Sequence, residues 1–355
     1  MNDKLLKCDR WLERSGPSEG VVVSTRARYA RNFPALPFPR RAGERDLSAV
    51  LERVAKVVDH QPEFAGGSRF YMADLSEIDR QYLREVHLIS PEMEKLPKHR
   101  ALFLSADLRE GIMVNEEDHL RVYALEPGLR PYEALQQVID LEKSLARELP
   151  FAFSPQFGYL TSCITNTGTG LRVSALVHLP ALSIVNKMRH VVEWLRSQGM
   201  TVRGFYGEHT ENHGGFYQIS NEVTLGKDER QIVEIFSHAM EEIIEREERA
   251  RRELVSNPQL EDRVWRAYGI LTHARLISTS EAMELLALLR LGVLADFFPR
   301  LTHAELNRLA VAVQPSHIRA YVMTHGPTSE EHDIREEERD RVRAQLLRER
   351  LRKVL

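Results

Sequence analysis

Apolar and polar positions recur along this chain in blocks that read as elements. Val50, Leu51, Val54, Val57 and Val58 fall at helical spacing and predict an amphipathic helix over 46–58. Residues 21–24 predict a strand that feeds an arginine-rich segment. Residues 112–114 and 121–125 predict two strands around the acidic turn Asn115-Glu116-Glu117-Asp118-His119. Pro131 suits the first turn of a helix over 131–147. From Leu171 to His178, Val173, Ala175 and Val177 alternate with Ser174 and Leu176, the pattern of a strand leaving the glycine-rich turn at 167–170. A helix over 181–198 closes at Gly199, and strands follow at 201–206 and 216–220. Asp228 with Gln231 forms a capping-box pair opening a helix over 229–250. Beyond residue 256 the pattern is helical throughout, with Thr302 and Glu305 as a second such pair. Strands first and helices last predict an α+β domain over 1–256, then an all-helical domain over 257–355, with the break near Ser256-Asn257-Pro258.

Composition narrows the setting. The 355 residues carry a formal net charge of only −3, which removes the global basic excess expected of a nucleic-acid or membrane-surface binder. Cys8 and Cys163 are too few for a disulfide scaffold, and no run of roughly 18 apolar residues or apolar leader stands in the sequence. The expectation is a cytoplasmic protein outside the membrane.

The candidate chemistry lies where arginines stand beside turns and strand ends. Arg26 and Arg28 are two apart and share one face of a strand; Arg121 follows the acidic turn, Arg172 the glycine-rich turn, and Arg203 opens the strand before a second acidic loop. Guanidinium forks match phosphate oxygens. The carboxylates are Glu116, Glu117 and Asp118 in one turn and Glu208 and Glu211 in the other, and one glutamate from each turn is a candidate to grip a guanidinium, with Cys163 as a third polar contact. The alternatives are surface ion pairs, solvated turns and a small buried thiol. No P-loop, zinc-ligand spacing or G-x-S-x-G elbow is present, and no metal ligands are assigned.

Four blocks in order, Val23 to Asn32, Asn115 to Arg121, Gly158 to Arg172, and Arg203 to Glu208 with Gln218 to Asn221, resemble the guanidino (phosphagen) kinase superfamily, most closely its bacterial protein-arginine kinases. The resemblance implies a large, mostly antiparallel sheet flanked by helices, as in glutamine synthetase, plus the helical C-terminal domain. It implies ATP with Mg²⁺ and transfer of the γ-phosphoryl group to arginine in proteins; the alternative is a kinase of free arginine or a related guanidino compound. Aligned with the nucleotide-holding segments are Ser24, Thr25, Arg26, Ala27, Arg28, His87, Arg121, Arg172, Val173, Ser174, Ala175, Leu176, Arg203, Gly204, Phe205, Tyr206, Gly207 and Glu208. Glu117 and Glu208 align with the carboxylates that position the guanidinium, and Cys163 with the active-site cysteine, although Ile164 replaces the proline that usually follows it. Free-arginine kinases carry a helical domain before the Ser-x-Arg-x-Arg strand, for which this chain has no room. Arg339-Asp340-Arg341-Val342-Arg343-Ala344 resembles the R-D-x-x-R-A motif of phosphoarginine recognition, so Arg339, Asp340, Arg343 and Ala344 form an expected allosteric site in a domain that also dimerises. The implied partners are proteins with exposed arginine, an activator subunit and Clp-type protease machinery.

Overall fold

The computed structural model describes residues 4–205, 214–255, 257–325 and 334–352. Among these residues ten strands are formed: β1 (Val22–Arg31), β2 (Ser68–Tyr71), β3 (Ala101–Leu104), β4 (Glu110–Val114), β5 (Leu120–Pro127), β6 (Phe153–Ser154), β7 (Gly158–Tyr159), β8 (Leu171–His178), β9 (Met200–Arg203) and β10 (Phe216–Asn221). Eight of them make one antiparallel sheet in the order β2-β3-β4-β5-β1-β8-β10-β9, and β6 pairs with β7 in a separate ribbon. The helices around the sheet are α1 (Glu44–Val58), α2 (Glu77–Glu85), α3 (Pro91–Lys95), α4 (Pro131–Ala146), α5 (Pro180–Ile184), α6 (Met188–Ser197) and α7 (Glu229–Val255). The C-terminal helices are α8 (Pro258–His273), α9 (Thr279–Leu294), α10 (His303–Ala312), α11 (Pro315–His325) and α12 (Glu336–Leu351).

Strand alternation divides the sheet into two chemistries. On β1, Thr25, Ala27, Tyr29 and Arg31 face the helices, and Arg31 pairs there with Glu142 of α4 at 2.8 Å. Ser24, Arg26 and Arg28 take the opposite face. On β8, Val173, Ala175 and Val177 are fully buried against the helical layer, while Arg172, Ser174 and Leu176 look the other way. The fold thus places one apolar face on the core and leaves one polar face to build a site.

Both capping boxes form: Gln231 N donates to Asp228 Oδ1 at 2.8 Å, and Thr302 accepts from Glu305 N at 3.2 Å. The expected helix over 181–198 is two helices, because Asn186 adopts a positive φ of 55° and ends the first of them. The strand expected at 21–24 continues through the arginines to residue 31.

The C-terminal helices close against the sheet end around His178, whose Nε2 lies 2.8 Å from the Gly214 carbonyl oxygen. Burial, then the charges of Arg290 and Arg251, push His178 well below its ordinary pKa, and the same causes push His303 down to about 4. An unfolded imidazole takes up a proton below about pH 6.5 whereas the folded ones resist it, so the unfolded chain binds more protons there and stability falls as pH drops through that range. Each such group contributes a slope of about 1.4 kcal/mol per pH unit. His178→Gln is expected to flatten the acid side of a urea-stability profile by about that slope while leaving pH 7.5 nearly unchanged. Parallel profiles for the two proteins would show that His178 is not a source of the slope.

Candidate active site

The polar face of the sheet is the floor of a cavity of about 690 Å³. Ser24, Arg26 and Arg28 of β1, Arg121 and Leu125 of β5, Arg172, Ser174 and Leu176 of β8, Gln218 and Ser220 of β10, and Arg203 at the end of β9 line it. Arg84 and His87, at the end of α2, and Ser90 to Glu92 with Lys95 of α3 form one wall. Glu116 and Glu117 form another, and Cys163, Thr165 and Asn166 a third. Segments far apart in sequence therefore meet at one place, and basic side chains outnumber acidic ones there.

Strand register explains the convergence. Arg28 lies directly opposite Arg172 on β8, and Arg26 opposite Ser174. Burial, then the guanidiniums of Arg121 and Arg172, push the Arg28 pKa well below its ordinary value. Arg172 is held by Ser220 Oγ and Asn166 Oδ1, each at 3.3 Å. Arg26 sits with its guanidinium carbon 4.7 Å from the centre of the Tyr123 ring and donates through Nη2 to the His87 carbonyl. That ring lies over Gly111, its cross-strand partner, where an added Cβ would come within 2.3 Å of the ring. Burial, with Arg26 and Arg84 nearby, pushes His87 down to about 3, so it is neutral at physiological pH. Its ring meets Phe205 edge-on at 4.7 Å.

The acidic turn is built inward. Asp118 is fully buried and accepts from Asn32 Nδ2 and Ser162 N, each at 2.7 Å, which ties the turn to the segment carrying Cys163. Glu116, 4% exposed, pairs with Arg121 Nη1 at 2.5 Å and accepts from Ser90 Oγ at 2.6 Å. Burial raises its pKa, but Arg121, Ser90 and Arg28 outweigh that and hold the carboxyl below its ordinary value. Glu117 is nearer the opening. It receives Arg121 Nη2 at 2.5 Å on one oxygen and the exposed Arg40 Nη2 at 3.1 Å on the other. Cys163 Sγ stands 3.1 Å from Thr165 Oγ1, and Ile164 beside it is 82% exposed.

Of the residues singled out in the sequence, Thr25, Ala27, Val173 and Ala175 turn their side chains away from the cavity into the helical layer. Thr25 Oγ1 donates there to the Gly128 carbonyl at 2.6 Å. Gly204 directly follows β9, while Tyr206, Gly207, Glu208 and Glu211 lie outside the described residues. The glycine-rich turn seats Arg31: Arg31 Nη1 donates to the Thr169 carbonyl at 3.0 Å, and a Cβ on Gly170 would lie 2.6 Å from that nitrogen. Arg40, Arg84, Ser90 and Lys95 were not anticipated; Ser90 followed by Pro91 is a legible helix start, and Ser90 does cap α3. Arg343 is 1% exposed and gives its guanidinium to the carbonyls of Val313 (2.7 Å) and Ile277 (2.8 Å) and to Asp340 (2.5 Å). Ala344 is fully buried and Arg339 partly so. Among the described residues no group of His, Cys, Asp or Glu could hold a metal ion, and no helix is long and apolar enough to cross a membrane.

The ATP:guanido phosphotransferase C-terminal catalytic domain profile matches residues 49–250, and that of the protein-arginine kinase McsB C-terminal domain matches residues 257–355. A protein-arginine kinase of Symbiobacterium thermophilum is 44% identical over 86% of this chain and 88% of its own length. One from Halothermothrix orenii is 38% identical over 96% of each chain, a match that includes the strand bearing Arg26 and Arg28. Among solved structures, the duplicated taurocyamine kinase of Schistosoma mansoni with transition-state analogue components superposes with a TM-score of 0.60 and 27% identity, over 66% of this chain and 34% of that one. A lombricine kinase, at 23% identity and a TM-score of 0.57 over 67% of this chain and 70% of that one, shares the fold.

Proposed function

Since the chain belongs to the ATP:guanido phosphotransferase family, as a protein-arginine kinase, we propose that the arginine-lined cavity binds MgATP and that Glu117 orients the acceptor guanidinium. The reaction joins a guanidinium nitrogen of a protein arginine to the γ-phosphorus, breaks the bond between that phosphorus and the bridging oxygen of the β-phosphate, and releases ADP. The observation that supports this site is the crowding of Arg28, Arg121 and Arg172 on one sheet face, where burial and the guanidiniums of Arg121 and Arg172 push Arg28 well below its ordinary pKa. Such a cluster is unfavourable by itself and is relieved by a polyanion. Arg26, Arg28, Arg121, Arg172 and Arg203 would meet the phosphate oxygens, with His87 kept neutral beside them. Mg²⁺ enters as part of the nucleotide and spreads the charge of the β- and γ-phosphates.

The acceptor nitrogen must lose a proton as it attacks, because a fully protonated guanidinium is a poor nucleophile. Glu117 already carries guanidinium groups on both oxygens, so its geometry suits the task. The substrate arginine takes the place of the exposed Arg40, and Glu117 receives the proton or the charge, with Glu208 as the second carboxylate. Cys163 supplies a polar contact at the same wall. We further assign residues 1–256 to catalysis and 257–355 to dimerisation and phosphoarginine recognition. In that second site Arg339 meets the ligand, and Asp340 and Arg343 frame it. The setting is cytoplasmic, with an activator subunit and a Clp-type protease as partners.

Incubation with MgATP and either an unfolded arginine-bearing protein or free arginine tests the substrate. Acid-labile, base-stable phosphate on the protein is expected, read by mass spectrometry under conditions that preserve the P–N bond. Phosphorylation confined to free arginine would overturn the assignment.

A further inference from the structure

Glu85 is the last residue of α2 and is 1% exposed, yet it does not line the cavity. Its carboxylate reaches the opposite way, into the C-terminal helices. It accepts from Ser316 N at 3.0 Å, His317 N at 3.3 Å, His317 Nδ1 at 2.8 Å, and from the Ser316 hydroxyl. Ser316 and His317 open α11, where backbone N–H groups have no intrahelical acceptor and a carboxylate is favoured. Tyr82, one turn earlier on α2, stacks on the His317 ring with centroids 3.8 Å apart. The contact is therefore a buried, multiply bonded join between α2 and α11.

The other side of the same helix end faces the cavity. His87 N donates to the Arg84 carbonyl at 2.9 Å and Leu88 N to the Leu83 carbonyl at 3.0 Å, so α2 closes in a Schellman turn with His87 in the left-handed region at φ 60°. That position favours glycine, and a histidine holds it at some strain. The turn is pinned where Val86 O accepts from Trp11 Nε1 at 3.0 Å, and its product is the His87 carbonyl that receives Arg26.

We propose that Glu85 is a positioning residue: through it, the C-terminal helices hold the end of α2 in the shape that sets His87 and Arg26 against the nucleotide. This rests on the reading that the nucleotide occupies the cavity. Docking of the helical domain then tunes nucleotide affinity without contributing an atom to the site.

The test uses the full chain, with the KM for ATP, kcat on an unfolded arginine-bearing protein and a thermal melt. Glu85→Ala is expected to raise the KM for ATP roughly ten-fold while kcat at saturation changes less than about three-fold. Glu85→Gln is expected to restore KM to within about three-fold, since its amide oxygen still accepts from Ser316 N and its NH2 donates to His317 Nδ1 once the imidazole takes the tautomer protonated on Nε2, only the weaker bond from His317 N being lost. Ser316→Ala, remote from the cavity, raises KM by about three-fold, and in combination adds little to Glu85→Ala. An unchanged KM in Glu85→Ala, or a glutamine variant as impaired as the alanine one, would overturn the proposal. If Glu85→Ala lacks a cooperative melt, Ser316→Ala decides, and an unchanged KM there overturns it equally. Arg26→Ala is the control: an unaltered nucleotide KM in that variant sinks the cavity reading itself, whereas a raised KM there beside a normal one in Glu85→Ala sinks only the positioning role.

Discussion

Arg28→Met is expected to lower kcat/KM about a hundred- to a thousand-fold while making the folded protein more stable. The loss follows from removing one preorganised positive contact to the transferring group, worth about 3–4 kcal/mol in transition-state stabilisation. The gain follows from the same geometry in the free enzyme. Arg28 lies opposite Arg172, and burial together with Arg121 and Arg172 already weakens its hold on a proton. Methionine fills similar space without a charge, so the repulsion from Arg121 and Arg172 is removed, and a rise in Tm of about 2 °C or more is expected. Steady-state kinetics and a calorimetric melt on one preparation give both readouts. A variant that loses both activity and stability would show Arg28 to be an ordinary structural arginine.

Glu117→Gln is expected to reduce kcat at least about a hundred-fold while the affinity for ATP changes by less than about three-fold. The amide retains the shape of the carboxylate and one acceptor for Arg121, so the floor of the cavity persists. It no longer takes the charge or the proton of the acceptor nitrogen. Glu116→Gln provides the contrast. Glu116 is buried and paired with Arg121 at 2.5 Å, and its replacement removes the negative charge that helps hold Arg121 and Arg28 together. The Glu116 variant should lose nucleotide affinity, and the Glu117 variant turnover. Equal effects of both on nucleotide affinity would dissolve the distinction drawn between the two carboxylates.

The parts of this site legible in the sequence are those carried by strand alternation. A period of two puts Arg26 with Arg28 and Arg172 with Ser174 on one face, and those residues do share the floor of the cavity. The same period places Thr25, Ala27, Val173 and Ala175 in the opposite layer, a distinction that contiguous motif segments conceal. The acidic turn was located, but its interior character was not. Asp118 and Glu116 are buried because their partners, Asn32, Ser162, Ser90 and Arg121, arrive from other segments. Residues 68–104 were largely silent. Strand β3 is apolar on both faces and lacks alternation, and α2 shows few apolar positions until its end is seen to pack on α11. Arg84 and Arg40 gave no local signal, since each reaches the cavity from the end of a helix or from a loop.

The division of one sheet into an apolar and a charged side has an evolutionary corollary. Because the cationic floor and the hydrophobic core are written on alternate residues of the same strands, the rim can change without disturbing either. Replacing rim segments such as the one bearing Arg40 leaves every cross-strand pair in register. Variation can therefore accumulate in the loops at the rim while the alternation that builds both faces of the sheet persists.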